Sequence, residues 1–149
     1  LENLIFIAIW STTPWTLPAN LAIAVHPREK YVEVKDGDIG YWVAEELSES
    51  LSSNFDFKKP VFGKSKTGEE ISGWKTQHPF IDRESPILTA DYVTMESGTG
   101  CVHIAPGHGL DDYLTGIENG LEVYCPLTDY GTYVDDGMIP SALVGVSVL

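Results

Sequence analysis

The segment GTGCVHIAPGHGLDDY, residues 98–113, concentrates side chains that can do chemistry, with two His, two Asp and four Gly among sixteen residues. Imidazole and carboxylate groups move protons, bind cations or hold an amine, and glycine lets a ligand approach the backbone closely. His103 falls within a predicted strand, and His108 follows in the loop. Asp111 and Asp112 stand where a helix should begin. The cluster as a whole predicts a functional site.

Other roles for the same residues stay open. A histidine within a strand, such as His103, is often simply hydrogen-bonded in the core, and Asp111 could cap a helix whose dipole favours a carboxylate. A metal site would use His103, His108 and one of the two aspartates. Because that set matches no standard ligand spacing, we expect no metal here.

A second polar segment, STTPWTLPAN at residues 11–20, lies between two predicted strands. Its two prolines restrict the backbone, so a ligand would be held at little ordering cost. Hydroxyl groups donate and accept hydrogen bonds, which suits ribose, a carbonyl oxygen or water, and Asn20 adds an amide. Alternatively, the hydroxyls satisfy only the turns of their own loop. The hydroxyl-bearing residues are Ser11, Thr12, Thr13 and Thr16.

Several familiar motifs do not fit this sequence. Gly63, Lys64 and Ser65 resemble the end of a phosphate-binding loop, but that motif requires glycine at the position of Lys58. The sequence also contains no G-x-G-x-x-G, no G-x-S-x-G and no H-E-x-x-H pattern. Nucleotide-binding and simple serine-hydrolase interpretations therefore lose their support.

The hydrophobic patterning predicts the elements that would position these segments. Apolar residues at every fourth position predict an amphipathic helix from Trp42 to Leu51, and Gly120 would end a second helix that begins near Asp111. Residues 52–97, broken by prolines, predict only short strands and turns. We therefore expect a strand-rich, mixed α/β fold in a single domain over residues 1–149. Strands are predicted at residues 4–9, 21–25, 31–34, 101–105, 123–127, 131–134 and 143–149.

The composition narrows the class of protein. With 43% hydrophobic and 21% charged residues, the 149-residue chain can form one core, and disorder is excluded. The net charge is −13, with eight basic and eleven acidic residues in 1–75 but one basic and eleven acidic residues in 76–149. This charge disfavours non-specific binding to nucleic-acid phosphates. A polyanion would approach the first half, although a solvated, mobile surface is the more ordinary role of its lysines.

The sequence also indicates the kind of compartment and the kind of protein in which this chain occurs. Cys101 and Cys125 could form at most one disulfide, and no Asn-x-Ser/Thr sequon occurs, which favours a reducing compartment. No apolar run approaches the roughly 20 residues that span a bilayer, so we expect no membrane association. Because Leu1 is not an initiator Met and both ends are strand-like, we expect a segment of a longer protein.

Residues 10–27 and 98–113 together resemble the editing insertion of isoleucyl-tRNA synthetase, a class I aminoacyl-tRNA synthetase. The related valyl and leucyl enzymes typically carry an acidic residue where this chain has Trp15, and a Pro-Ala-His-Asp type of sequence at residues 106–109. The resemblance covers nearly the whole chain and is weaker over residues 36–75. In the family this domain is inserted into a nucleotide-binding catalytic domain, whose His-Ile-Gly-His and Lys-Met-Ser-Lys-Ser signatures this sequence lacks.

The resemblance implies a compact, β-barrel-like editing domain with a few flanking helices. Its implied activity is hydrolysis of the ester of mischarged valyl-tRNA(Ile), with isoleucyl-tRNA(Ile) spared and valyl-adenylate a further candidate substrate. No cofactor, no metal and no ligase activity in this segment are implied. The expected partners are the valine-bearing 3′ end of tRNA(Ile) and the rest of the synthetase, in the cytoplasm, with the isolated domain monomeric. A docking insertion without catalysis and a metal-dependent hydrolase are the alternatives.

The same resemblance implies roles for individual residues. Asp112 would pair with the α-ammonium group of the substrate, and His103 would lie near the terminal adenosine and the amino-acid side chain. Thr12 and Thr13 would hold the aminoacyl adenosine and the hydrolytic water. These four residues form the expected catalytic set. The expected substrate-binding residues are Ser11, which replaces the usual threonine, Trp15, Asn20, His108 and Asp111.

Overall fold

The computed structural model describes residues 4–149, and these fold as two compact units. The first unit contains the described residues up to Ser11 together with Ile23–Trp74 and Ile87–His103. The second unit contains Thr12–Ala22, Lys75–Pro86 and Ile104–Leu149. Most of the candidate site residues therefore belong to the second unit.

Strands outnumber helices in the described part of the chain. The strands are β1 (Leu4–Ile7), β2 (Ala22–Val25), β3 (Lys30–Asp36), β4 (Ile39–Ala44), β5 (Val61–Phe62), β6 (Lys66–Thr67), β7 (Lys75–Gln77), β8 (Glu84–Thr89) and β9 (Cys101–Ile104). The helices are α1 (Ser48–Asn54), α2 (Gly68–Ile71) and α3 (Leu110–Glu118), with 3₁₀-helices at Pro14–Ala19 and Glu45–Leu47. The predicted strand-rich, mixed α/β class is confirmed.

The first unit is built on a five-stranded sheet in the order β1-β4-β3-β5, with β6 also paired to β3. Strand β1 runs parallel to β4, whereas β3 is antiparallel to β4, β5 and β6. The β3–β4 hairpin turns at Gly37, whose φ of 65° favours glycine. The buried side chains of the main core are Ile23, Val25, Tyr31, Trp42, Ala44, Ile71, Ile87 and Cys101.

A four-stranded sheet has the order β7-β8-β2-β9. Strands β2 and β8 are parallel, and β7 and β8 form an antiparallel hairpin with Thr76 opposite Ser85. The N–H of His78 donates to the carbonyl of Arg83 at 2.9 Å, which closes the hairpin loop. This β7–β8 hairpin, residues 75–86, supplies several side chains to the candidate site.

The helix predicted from Trp42 to Leu51 is wrong in its first part. Trp42, Val43 and Ala44 lie in β4 and pair with β3, and helical structure begins only at Glu45. Trp42 and Ala44 face one core, whereas Val43 faces a second core with Val32 and Val34. Because both faces of β4 are buried, the strand is apolar throughout and its spacing mimics a helix.

The strands predicted at residues 123–127, 131–134 and 143–149 are also wrong. Among the described residues of this region, isolated bridges join Leu127 to Tyr133 and Thr132 to Ser147 without forming strands. Positive φ angles at Gly131 and Gly145, 72° and 76°, turn the chain before a ladder can extend. The predicted strands near residues 4–9, 21–25, 31–34 and 101–105 are confirmed, as is the helix that ends before Gly120.

Candidate functional site

Residues 11–20, here termed the Thr loop, fold largely into the 3₁₀-helix Pro14–Ala19. Pro14 takes the first helical position, where a missing N–H costs no hydrogen bond. The backbone N–H and the hydroxyl of Thr16 donate to the carbonyl of Thr13, at 3.0 and 2.9 Å. Thr16 is therefore buried within the turn. Thr12 and Thr13 are exposed, and the Thr13 hydroxyl lies 3.5 Å from that of Thr16. The two threonines predicted to meet a ligand are the accessible ones.

Asn20 ends the Thr loop with a buried side chain, only 7% exposed. Its amide nitrogen donates to the carbonyl of Ala22 at 2.9 Å, and its amide oxygen accepts from the hydroxyl of Ser85 at 2.5 Å. Both polar atoms thus have protein partners, so the amide fixes the end of the loop. A substrate-binding role for Asn20 stays a prediction.

The second polar segment turns from β9 into α3 and carries Asp112 on the first turn of the helix. One carboxylate oxygen of Asp112 accepts a hydrogen bond from the backbone N–H of Ala105 at 2.8 Å. Gly107 is required between them, because a Cβ there would lie 2.3 Å from the carbonyl oxygen of Tyr124. Asp112 is half-buried and Asp111 is exposed. The second carboxylate oxygen of Asp112 can still accept from a ligand.

Burial shifts the pKa values of Asp112 and His108 in opposite directions. It raises the pKa of Asp112 above its ordinary value, against the lowering effect of the Ala105 hydrogen bond. It lowers the pKa of His108, against the raising effect of the Asp112 charge. A cation that approaches a half-buried carboxylate with a raised pKa stabilises its ionised form, because the cation replaces the stabilisation that water would have given.

Trp15 joins the Thr loop to the segment that carries Asp112. Its ring packs edge-on to the imidazole of His108, with ring centroids 5.5 Å apart and planes at 88°. The structure therefore brings together residues that are far apart in the sequence. Ser11, half-buried, and His103, 8% exposed on β9, belong to the first unit.

Sequence reasoning missed four residues that hold the Thr loop. The Tyr133 hydroxyl donates to the carbonyl of Trp15 at 2.5 Å, and the other three lie on the β7–β8 hairpin. Their partners are distant in sequence, so no local spacing reveals them. One sequence feature could have pointed to Arg83, because it is the only basic residue among residues 76–149. The hairpin residues are His78, Arg83 and Ser85.

An apolar cavity of about 490 Å³ lies in the second unit beside the 3₁₀-helix. Trp15 is one of the residues that line this cavity, and it also contacts His108. The cavity is lined by Pro14, Trp15, Leu17, Pro18, Phe80, Tyr133, Leu143, Val146, Ser147 and Val148.

Three further observations on residues 4–149 concern metal binding, the cysteine thiols and membrane-spanning helices. No three His, Cys, Asp or Glu side chains in this range come together in a way that could hold a metal ion. Cys101 is buried, Cys125 is exposed, and both thiols are free. Within the same range, we find no helix with the length and apolarity needed to cross a membrane.

Residues 9–131 match the family model described as leucyl-tRNA synthetase, editing domain. The chain belongs to this family of synthetase editing domains. Its curated relatives include isoleucine-tRNA ligases, in line with the resemblance of the two polar segments. The ligase of Nitratidesulfovibrio vulgaris (strain DP4) is 53% identical over 130 residues, and that of Bacillus cereus (strain AH820) is 46% identical over 128 residues.

These alignments cover 87% and 86% of this editing domain but only 14% of each ligase, so the chain spans about one seventh of the length of these relatives. Solved structures agree on the fold. The editing domain of the cytosolic leucyl-tRNA synthetase of P. knowlesi superimposes with a TM-score of 0.65 at 19% identity, over 78% of this chain and 50% of that one. The corresponding P. falciparum domain gives 0.61 at 18% identity, over 73% and 44%.

Proposed function

We propose that this editing domain hydrolyses the ester of mischarged valyl-tRNA(Ile) and spares isoleucyl-tRNA(Ile). The observation that carries the proposal is the half-buried carboxylate of Asp112, held by Ala105 at the start of α3. The isoleucine-ligase relatives support valine as the amino acid removed. A hydrophobic synthetic pocket rejects an amino acid that lacks one methylene by only about 1–3 kcal/mol, a limit established for such synthetases, so a second site is needed.

Asp112 is the residue that would recognise the substrate. The amino acid on an aminoacyl-tRNA carries a free α-ammonium group, which a peptide bond would have removed. An ion-paired hydrogen bond between this ammonium group and Asp112 would place the adjacent ester in a fixed position. The hydrogen bond from Ala105 fixes the carboxylate before the substrate arrives.

Thr12 and Thr13 would hold the terminal adenosine and one water molecule. Both are exposed, and they precede the 3₁₀-helix whose Trp15 contacts His108. An aminoacyl ester is already activated, so a positioned water can attack its carbonyl carbon without a covalent enzyme intermediate. The C–O bond to the ribose then breaks, the ribose oxygen takes up a proton, and valine and intact tRNA leave.

The remaining candidates would shape the pocket. His103, near the amino-acid side chain, would exclude the larger isoleucine, and Ser11, Trp15, His108 and Asp111 would contribute to binding. No metal and no cofactor enter this mechanism. Valyl-adenylate is a further candidate substrate of the same site, because it carries the same free ammonium group.

The proposed setting is a longer isoleucine-tRNA ligase, of which this chain would be the editing segment. The ligase body would bind most of the tRNA(Ile) and present the valine-bearing 3′ end to this domain. We expect the isolated chain to be monomeric, to have no ligase activity, and to act in the cytoplasm without a membrane. Residues 1–149 would form one editing domain within that protein.

The deciding experiment measures the release of valine from valyl-tRNA(Ile) and of isoleucine from isoleucyl-tRNA(Ile), with EDTA present. Wild-type chain, Asp112→Ala and Asp129→Ala are compared, because Asp129 is an exposed aspartate of the same unit. We expect selective, EDTA-resistant release of valine by the wild type and by Asp129→Ala. Asp112→Ala should lose most of it, since it loses the charged contact to the substrate.

Other outcomes distinguish the alternatives. Activity that EDTA abolishes would support a metal-dependent hydrolase. Binding of tRNA without ester cleavage, repeated in the full-length ligase, would indicate a docking insertion. Turnover near the wild-type rate in Asp112→Ala would contradict the role assigned to this carboxylate.

A further inference from the structure

The 3₁₀-helix of the Thr loop ends in backbone carbonyls that are bound by side chains of the β7–β8 hairpin. Nε2 of His78 lies 2.8 Å from the carbonyl oxygen of Leu17. Nη1 of Arg83 donates to the carbonyls of Pro18 and Asn20, both at 3.0 Å. Three side-chain hydrogen bonds, to the carbonyls of Leu17, Pro18 and Asn20, thus fix the end of a six-residue helix, a type whose own hydrogen bonds have poor geometry.

His78 has one protonation state that suits its neighbours. Its Nδ1 accepts from the backbone N–H groups of Phe80 and Ile81, at 3.3 and 3.1 Å. The ring proton must therefore be on Nε2, where it is donated to Leu17. Burial, and the charge of Arg83, lower the pKa of His78 against the raising effect of the Leu17 hydrogen bond, which favours the neutral ring. Neutral His78 is consequently a well-defined donor to the Thr loop.

Arg83 is held from several sides. Its backbone N–H donates to Ile81 at 2.8 Å, and its guanidinium carbon lies 4.8 Å from the ring centroid of Tyr124. The Tyr124 hydroxyl in turn donates to Asp136 at 2.5 Å. A planar guanidinium fixed in this way binds two carbonyls at once, which the single ammonium group of lysine does with less precision.

The arginine is not an optimal choice for stability alone. Within the described part of the chain, its Nη2 atom is buried and has no hydrogen-bond partner. A buried N–H without a partner destabilises the folded state. What the arginine provides is the geometry of Nη1, which contacts the two carbonyls at the end of the Thr loop.

We propose that Arg83, together with His78, is a positioning residue for editing, which sets the placement of the Thr loop and so of Thr12 and Thr13. This inference rests on the proposed hydrolysis of valyl-tRNA(Ile). Neither side chain is required to touch the substrate. Small displacements of a positioning group reduce the rate of the chemical step much more than they reduce binding.

The test uses the full-length ligase that carries this sequence and compares Arg83→Lys with Arg28→Lys. Arg28 is the only other arginine, and it is exposed in an ion pair with Asp91. We expect Arg83→Lys to lower kcat for valine release by about 10- to 100-fold with KM changed less than about threefold. Arg28→Lys should retain the wild-type kcat and KM.

Hydrogen exchange on the 149-residue chain separates positioning from general stability. The N–H groups of Thr16 and Asn20 are bonded within the Thr loop, to Thr13 and Leu17. In Arg83→Lys we expect these two amides to exchange faster while the amides of β3 and β4 keep their protection. A loss of protection spread evenly over the chain would overturn the proposal, as would an unchanged kcat.

Failure of the inference and failure of the proposed function give different results. If the wild-type ligase does not release valine, the proposed function is wrong. If the wild type releases valine and Arg83→Lys does so at the same rate, only the positioning role is wrong. Addition of guanidinium ion to Arg83→Ala should restore part of the lost kcat and should not affect Asp112→Ala.

Discussion

Trp15 and His108 are 93 positions apart in the sequence, and their rings pack edge to face with centroids 5.5 Å apart. This contact joins the two segments whose residue types pointed to chemistry, the Thr loop and the turn into α3. His108 is close enough to Asp112 for the carboxylate charge to raise its pKa, against the larger lowering effect of burial. The candidate site is thus held together by side chains of both segments.

Asp112→Asn should separate function from stability. Because burial raises the pKa of Asp112, ionisation of this group disfavours the folded state above its unfolded pKa. Asparagine removes that charge and can still accept the hydrogen bond from Ala105. We expect an unfolding free energy at pH 7, measured in urea, that is equal to or above the wild-type value. Valine release should fall about 10- to 150-fold, the equivalent of about 1.5–3 kcal/mol. Release of valine by Asp112→Asn at the wild-type rate would contradict this prediction. Asp129→Asn is the control.

His103→Ala should impair editing or relax its selectivity. His103 is 8% exposed on β9. If it excludes isoleucine, as proposed above, its removal should let the larger amino acid bind. We expect a lower rate of valine release or the onset of isoleucine release, measured as the ratio of the two deacylation rates. His26→Ala, at a half-buried histidine of the same unit, is the matched control. An unchanged ratio and rate would remove the selective role of His103.

Acidification should destabilise the chain through His78. Its pKa is lowered in the folded state, so the unfolded chain binds the proton more readily. The stabilising contribution is complete above the unfolded pKa of about 6.5 and is lost as the pH falls through the folded value. Urea unfolding from about pH 8 to pH 5 should show a smaller loss of stability in His78→Gln than in the wild type. Burial lowers the pKa of His108 as well, but that residue is present in both proteins, so their difference reports His78.

Tyr133→Phe should destabilise the Thr loop. The Tyr133 hydroxyl donates to the carbonyl of Trp15, and the residue is only 6% exposed. Its removal leaves that carbonyl without this donor, so we expect a loss of about 0.5–1.5 kcal/mol in the free energy of unfolding. Tyr130→Phe, at a tyrosine that is 85% exposed, should change the stability little. Equal effects of the two substitutions would contradict the assignment.

The isolated chain should bind tRNA weakly. Its net charge of −13 opposes phosphate binding, and basic residues are concentrated in residues 1–75. In filter binding at about 50 and 200 mM salt, we expect low affinity that falls further as salt rises. The full-length ligase should bind more tightly, because its other domains would supply most contacts. Tight, salt-resistant binding by the isolated chain would be inconsistent with this expectation.

The local sequence was sufficient to predict the structure wherever short-range interactions decide it. The Thr loop, the strand that contains His103 and the helix that begins near Asp112 follow from proline, glycine and helix-start signals within a few residues. Local sequence was misleading at β4, where burial on both faces hides the strand period from Trp42 to Ala44. It was also misleading after α3, where turns interrupt apolar residues that resemble strands.

The sequence by itself determined the family, the strand-rich class and the two polar segments, because motifs and hydrophobic periodicity are properties of neighbouring residues. Only the tertiary structure decided which side chains hold the Thr loop. His78 and Arg83 reach carbonyls more than 60 positions away, and Tyr133 reaches one 118 positions away. Backbone carbonyls are present in every residue, so the sequence carries no sign of which carbonyl a distant donor will bind. That choice depends on how the β7–β8 hairpin and the residues after α3 pack around the loop.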